Sequence, residues 1–448
     1  MQVNINDEYK KKLVTADEAV RIIKSGDWVE YGFGLNSANI VDAALAKRKD
    51  ELWNVKIRCD LGAYPKHTSD ADPTGKHFYW NSWHMSGHDR KYYNKGLLSY
   101  IPMKFNELPR MTRNNCDPTN VFVATVTPMD KHGYFNFGAS ATNVWAALEM
   151  AEHVIFEVNT NLPKVFGGNQ ESVHISKVDY IVEGPNSKLP VLPPATPNEI
   201  DRKIASHVIS RLYDGCCLQL GIGGVPNAVG SMIVDSDLKD LGVHSEMYVD
   251  AFVQMSKAGK ITGSKKQIDP YKQVFSFAFG SEELYEFIDE NMGVAAYSVD
   301  YTNSPEVISQ LDNFVSINAC IEVDLFGQVS SESVGTRHIS GTGGQLDFVE
   351  GAYRSKGGQS FICMNATFGN NGSIETRIRP TLEPGSIVTC PRTATHMVVT
   401  EFGVANLKGK STWERAEALI AIAHPQFQEE LIREAEKMKI WRNGNKAA

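Results

Sequence analysis

The residues that could do chemistry concentrate in Asp214–Val253, which begins DGCCLQLGIGGVPNAV and closes LGVHSEMYVDAFV. The apolar run Cys216-Cys217-Leu218-Gln219-Leu220 ends in Gly221-Ile222-Gly223-Gly224-Val225-Pro226, the pattern of a buried strand entering a tight turn. Glycines there let backbone N–H groups approach a ligand closely and point at it. Asn227–Ile233 could begin a helix, which would place the loop at a positive helix N-terminus. Further on, one carboxylate, Glu246, stands among His244, Ser245, Met247 and Tyr248. An anion-stabilising loop followed closely by a lone carboxylate in an apolar setting suggests acyl chemistry. Each part also has an ordinary explanation when taken alone. Such loops mostly bind a nucleotide or nothing, and a single Glu beside an apolar run is usually a solvated strand end.

The elements that must position these residues occur twice. Thr15 caps a helix through Ile23, Lys24–Asp27 ends it, and Trp28-Val29-Glu30-Tyr31 is a strand closed by Gly32-Phe33-Gly34. In the second half Ile204–Ile209 is a helix, Asp214-Gly215 the turn, Cys216–Leu220 the strand and Gly221-Ile222-Gly223 the loop. Gly26, Gly32 and Gly34 match Gly215, Gly221 and Gly223 at one constant offset. Met129–Phe135 resembles Val323–Val329, each an acid, a turn glycine and a strand-like continuation. The strands Val121–Val126 and Val315–Val323 precede these turns. Val154–Asn159 sets beside Phe361–Asn365 as a weaker third pairing.

The chain therefore reads as α/β, with two tandem related open α/β domains and mostly parallel sheets. The halves are expected at residues 1–190 and 191–448. Their boundary falls in the Pro-rich Gly184–Thr196, a stiff linker with Pro185, Pro190, Pro193 and Pro194. Ligands bind such sheets at the carboxyl ends of strands, where both glycine loops lie. Strands Ile387–Cys390 and His396–Thr400, a helix Thr412–Ala423 and an amphipathic helix Gln426–Lys439 complete the second half. Gly341-Thr342-Gly343-Gly344 is a third glycine cluster, before a helical run to Ala352. It is either a ligand loop or a tight turn packed on a strand.

Composition narrows the function. At 448 residues two or three domains are the default, and 42% apolar with 22% charged content is that of a soluble globular protein. A net charge of −8 without a basic tract argues against a nucleic-acid partner. Met1–Tyr9 lacks the apolar core of a signal peptide, and no apolar run approaches the ~20 residues of a membrane span. The seven cysteines include Cys216, Cys217 and Cys363 in apolar runs, which suits reduced thiols of a cytoplasmic protein. No CxxC or HExxH occurs, so no metal site is expected.

Four motifs in this order, GIGGVPNAV, HSEMYVD, GTGGQLDFVEGA and VVTEFGVANLKGK, resemble the class I CoA-transferase and acetyl-CoA hydrolase family over nearly the full length. DKHGYFNFG fits the same pattern. HFYWNSWHMSGHDRKYYNKG is most similar to the branch acting on butyryl-CoA with acetate and on 4-hydroxybutyrate. The resemblance implies the CoA-transferase fold in each half, and Glu246 as the catalytic glutamate in the C-terminal half. It places the oxyanion and CoA loop on Gly221, Ile222, Gly223, Gly224 and Val225. Further CoA contacts are implied near Ile321 and at Gly344, and Gln219 and Met397 match positions lining the site. The first half has no matching glutamate, so one site per chain is expected.

The chemistry so implied is a ping-pong exchange in which Glu246 becomes a glutamyl-CoA thioester. Coenzyme A is then a substrate, with no tightly bound cofactor. The partners are a short-chain acyl-CoA and a carboxylate, with no nucleic acid, no membrane and a homo-oligomer of this chain. Lys408 and Lys410 are candidates for a patch that meets the CoA phosphates. His84, His88, Asp89 and Arg90 suit either contact with an acyl group or acceptor carboxylate, or a surface loop with an Arg–Asp pair. Trp80, Trp83, Tyr92 and Tyr93 suit packing or an acyl-pocket wall. Asp347 suits a helix cap, and Asp250 either orients neighbours of Glu246 or sits on a surface strand. Two rivals use the same features. One is a hydrolase with water as acceptor. The other is a nucleotide-binding module, although GIGGVP lacks the last glycine of the dinucleotide fingerprint.

Overall fold

The computed structural model describes residues 4–369, 373–442 and 444. Its contacts form two units. The first runs to Leu192 and includes Val274–Thr302; the second holds Pro193–Gln273 and the chain from Asn303 onward. A single cut near residue 190 does not describe this grouping. Val274–Thr302 belongs with the first unit because its backbone bonds there. Ala278 N–H donates to Ala139 O at 2.7 Å, Ala296 N–H to Phe166 O at 2.8 Å and Val299 N–H to Thr142 O at 2.9 Å.

The first unit is built on seven strands, all parallel. Their order across the sheet is Leu98–Tyr100, Phe78–Ser82, Val55–Arg58, Trp28–Tyr31, Val121–Val126, His153–Val158 and Tyr180–Glu183. Val121–Val126 is buried at all six positions, so it reads as a near-continuous apolar run, interrupted only by Thr125, with no alternation. Thr15 makes the expected capping box with Glu18. Met1–Tyr9 is occupied in part by the helix Ile5–Lys12, and residues 1–3 lie outside the described residues.

The second unit repeats this plan. Gly242–Tyr248, Cys217–Leu220, Phe314–Ala319, Gln359–Cys363 and Met397–Thr400 are neighbours in that order, all parallel, and Gly403–Asn406 adds an antiparallel edge. The strand entering the glycine loop holds the same place in both units. Trp28 pairs with Lys56 and Tyr31 with Val123; Cys217 pairs with Gly242 and Leu220 with Ile317.

The paired turns agree in detail as well. Asp130 Oδ1 accepts from the N–H groups of His132 and Tyr134, both at 2.8 Å. Asp324 Oδ1 accepts from those of Phe326 and Gln328, at 3.1 and 2.9 Å. Gly133 and Gly327 close these turns at φ +87° and +90°, where a side chain would be strained.

Two expected strands differ. Val315–Val323 breaks at Cys320-Ile321 into Phe314–Ala319 and Glu322–Asp324, and Ile321 at this break pairs back to Ser330. Ile387–Cys390 is no strand: Cys390 makes an isolated bridge to Val329, and Ile387 and Val388 are exposed. An apolar run left in water has no sheet face to alternate against, which is why its pattern misled. The closing helices are Thr412–Ala421 and Pro425–Lys437, and the latter buries Leu431 and Ala435. All seven cysteines are free and six are buried. Among the described residues no helix is long and apolar enough to cross a membrane.

Candidate active site

Cys217–Leu220 is buried throughout and delivers the chain to Gly221 at the carboxyl end of the sheet. Ile222 is 55% exposed, so the loop tip faces outward despite its apolar type. Gly223 takes φ +120° and precedes the helix Gly224–Asp235, twelve residues whose first N–H groups start at the loop. A Cβ on Gly221 or Gly223 would meet nothing within 4 Å, whereas one on Gly224 would run into the Asp201 carboxylate. The loop therefore has open space before its first two glycines and a packed back at the third.

Glu246 lies on the adjacent strand. The pairing of Cys217 with Gly242 carries Leu220 level with Ser245, and Ser245 Oγ donates to Leu220 O at 3.2 Å. Gly221 is thus level with Glu246. The glutamate is half-buried; its Oε2 accepts from Asn303 Nδ2 at 2.6 Å, and its carboxylate also accepts from the Gly344 N–H. Asn303 is fully buried. A Cβ on Gly344 would fall on Glu246 Oε2 and Asn303 Nδ2, so glycine is what lets the backbone reach the carboxylate. Burial pushes the Glu246 carboxyl up to about 7, against these two donors, which favour the anion. The result is an aligned carboxylate that titrates near neutrality, the state expected of a nucleophile or base.

Nothing in the sequence singles out Asn303. It stands in TNSPEV, where Ser304 caps the short helix Pro305–Ile308. That context marks a helix start and carries no sign of a bond to Glu246.

The other expected residues divide. Gln219 is buried, and its amide exchanges two hydrogen bonds with Asn318 at 3.3 and 3.0 Å. Ile321 N–H donates to Ser330 O at 2.9 Å, and its carbonyl accepts from Arg377 at 3.1 Å. Its carbonyl keeps a second lone pair, but its N–H is taken. Met397 pairs with Phe361, four strands across the sheet from Glu246, or about 19 Å at the usual spacing. Within the second unit it is not brought to the glutamate.

Lys408 donates to Thr393 O at 2.7 Å and sits 4.1 Å from the Tyr353 ring centre, and Lys410 pairs with Glu414 at 3.7 Å. The segment after His84 is no surface loop. Ser86 and Asp89 cap the helix Gly87–Tyr93, and Asp89 is buried against Lys66 at 2.8 Å. Trp80 packs under Lys66 and bonds Thr68. Asp250 is the buried first residue of the helix Asp250–Lys257, not a strand position. Asp347 lies buried in the first turn of Gln345–Arg354. Among the described residues no three His, Cys, Asp or Glu side chains are placed to hold a metal ion.

In the first unit the helix start that follows the matching loop is plugged. Glu157 turns its carboxylate onto the start of the helix Ile40–Ala46 and accepts from the N–H groups of Asn39, Ile40 and Val41 at 2.9–3.1 Å. Register places Cys363 at the corresponding point of the second unit, since Ile155 matches Phe361. Burial nonetheless pushes the Glu157 carboxyl up to about 7, so the folded state holds its proton longer than the unfolded chain. Its stabilising contribution is then full below about pH 4.5 and is lost as pH rises through about 7, a loss of about 3 kcal/mol. Glu157→Gln is expected to flatten that slope. Urea denaturation of both proteins at about pH 5 and pH 8 checks it, and an identical slope in the variant would remove the assignment.

Comparison with known proteins divides the chain at other points than its contacts do. Residues 1–193 match the acetyl-CoA hydrolase/transferase N-terminal domain, and residues 280–435 match the acetyl-CoA hydrolase/transferase C-terminal domain. Glu246 falls between the two matched stretches. A probable butyrate:acetyl-CoA coenzyme A-transferase of Syntrophomonas wolfei subsp. wolfei is 65% identical, covering 100% of both chains. The butyryl-CoA:acetate CoA-transferase of Anaerostipes caccae is 52% identical, over 99% of this chain and 100% of that one. Among solved structures, RipA from Yersinia pestis superposes with a TM-score of 0.90 at 34% identity, over 98% of this chain and 100% of that one.

Proposed function

The chain belongs to the acetyl-CoA hydrolase/transferase family, and from that premise we propose that it moves coenzyme A from a butyryl-type acyl-CoA to a carboxylate such as acetate. It is a CoA-transferase acting between acyl-CoAs and carboxylates. The observation that carries the finer reading is the Glu246 carboxylate, held by Asn303 and the Gly344 amide and level with the Gly221 loop.

Ionised Glu246 attacks the thioester carbonyl. The C–S bond breaks, and an acyl-glutamyl anhydride and CoA thiolate result. The thiolate attacks the glutamyl carbonyl and expels the first carboxylate, leaving CoA as a thioester on Glu246. A second carboxylate reverses both steps and departs as its own CoA ester. Thiolate leaves without a proton, so no acid is required for it. Loop amides at Gly223 and Gly224 hold the tetrahedral oxyanion on the substrate side. The Asn303 amide and Gly344 N–H polarise the glutamyl carbonyl once the carboxylate is acylated. Residues 191–448 supply the glutamate and residues 1–190 none, so each chain carries one covalent site. The plug at Glu157 supports that count. Free, mostly buried cysteines suit a reducing cytoplasm, and a homo-oligomer of the chain is the assembly proposed.

The test is direct. Protein incubated with butyryl-CoA is expected to gain one CoA on the peptide holding Glu246, and Glu246→Gln none. Acetyl-CoA is expected to form only when acetate is added. Free CoA appearing equally fast without acetate would instead make the enzyme a hydrolase, and an unmodified peptide would leave a binding module.

The titration of Glu246 sets a second expectation. The nucleophile must be ionised, so kcat/KM is expected to fall as pH drops below about 7. Asn303→Ala removes a donor that favours the anion, and its acid limb is expected at higher pH. A slower variant with an unmoved limb would restrict Asn303 to packing.

A further inference from the structure

Coenzyme A carries phosphates, and the cations expected to meet them are committed elsewhere. Lys410 is paired with Glu414, and Lys408 is held by the Thr393 carbonyl and the Tyr353 ring. Another pair of cations, Arg377 and Arg379, follows in the sequence TRIRP. The second unit's break at Cys320-Ile321 is bordered by the strand Ile378–Arg379, with Arg377 just before it. Arg379 is neutralised: Glu322 is 3.5 Å away and Glu375 3.1 Å.

Arg377 is not neutralised. It has no carboxylate partner among the described residues. One of its nitrogens donates to Ile321 O at 3.1 Å, and its guanidinium lies 5.4 Å from the centre of the Phe368 ring. Its Nε is buried with no hydrogen-bond partner. A guanidinium kept half-buried without an acid costs desolvation that a single neutral carbonyl does not return. An arginine's planar fork offers two parallel N–H bonds to one phosphate, which is the ligand it suits best.

We propose that Arg377 receives a phosphate of the coenzyme A nucleotide, with Phe368 and the Ile321 carbonyl holding its guanidinium in place. This rests on the reading that CoA approaches Glu246 past Gly344 and Ile321. The anion neutralises the cation that the protein leaves unpaired, and it anchors the far end of the coenzyme. Such remote binding aligns the thioester at the glutamate without touching the reacting atoms. The phosphate is either the 3′-phosphate or the diphosphate, and dephospho-CoA, which lacks only the former, separates them.

The experiment compares Arg377→Gln with the unaltered enzyme on butyryl-CoA, butyryl-dephospho-CoA and butyryl-pantetheine, all with acetate. The unaltered enzyme is expected to favour butyryl-CoA over butyryl-pantetheine strongly. The substitution is expected to lower kcat/KM for butyryl-CoA by roughly 10- to 100-fold, the worth of a hydrogen bond to a charged group. It should lower it far less for butyryl-pantetheine, which has no phosphate to lose. A drop that persists with butyryl-dephospho-CoA assigns the diphosphate, and one that vanishes there assigns the 3′-phosphate. Equal losses on all three substrates would make Arg377 a structural prop of the Ile321 turn and overturn the proposal. The glutamyl-CoA adduct is measured in the same samples. An adduct on Glu246 together with equal losses sinks the phosphate site alone, whereas no adduct in the unaltered enzyme sinks the mechanism beneath it.

Discussion

Glu246→Gln is expected to lower CoA transfer on the order of 10⁴-fold or more, as loss of a nucleophile does when other groups depend on it. The substitution keeps the shape and the bond from Asn303 but removes the electron pair that attacks the thioester. Glu246→Asp should fall between. It keeps the charge, yet one methylene fewer draws the oxygen away from Asn303 Nδ2 and the Gly344 N–H, which hold it now. Misplacement by ~1 Å is enough for about a 10²-fold loss. Steady-state rates with butyryl-CoA and acetate give the ranking, and mass spectrometry shows whether the Asp variant still takes up CoA slowly. A Gln variant retaining a tenth of the activity would end the covalent account.

What the sequence made legible follows from where information is local. The strand Cys217–Leu220, its glycine loop and the helix after it could be read because apolar runs, glycines and cap residues act on their neighbours. The doubling of the fold was legible for the same reason. Asp130 and Asp324 form the same turn with the same spacing, and a turn of that kind is written in five residues. Long-range choices were not written that way. Val274–Thr302 joins the first unit through backbone bonds to Ala139, Phe166 and Thr142, and nothing in its composition names those partners.

The site shows the same split. Glu246 and Gly344 could be picked from motif resemblance. Asn303 could not, because its local context explains it fully as the residue before a helix cap. Lys408 and Lys410 looked like phosphate ligands by charge, but charge says nothing of commitment. A ring, a carbonyl and Glu414 had already claimed them. Arg377 is inconspicuous in sequence for the converse reason: two arginines in TRIRP look alike, yet in the fold one has two acids and the other none among the described residues.

Gly344→Ala is expected to remove at least 10²-fold of the activity while leaving the fold in place. The backbone does not resist the change. Gly344 sits at φ −95° and ψ 9°, a conformation open to alanine, at the start of the helix Gln345–Arg354. The obstacle is the methyl group itself, which would occupy the positions of Glu246 Oε2 and Asn303 Nδ2 together. Overpacking of this kind typically costs about 1–3 kcal/mol of stability. The less constrained group gives way, and here that is the half-buried glutamate rather than the fully buried Asn303. Once turned aside, the carboxylate loses both donors and its alignment with the thioester. The signature is therefore a collapse of kcat with a melting temperature lowered only modestly, read by calorimetry beside the rate assay. A Gly344→Ala enzyme with normal turnover would mean that the carboxylate reacts from some other position, and that the contact between Gly344 and Glu246 has no part in the chemistry.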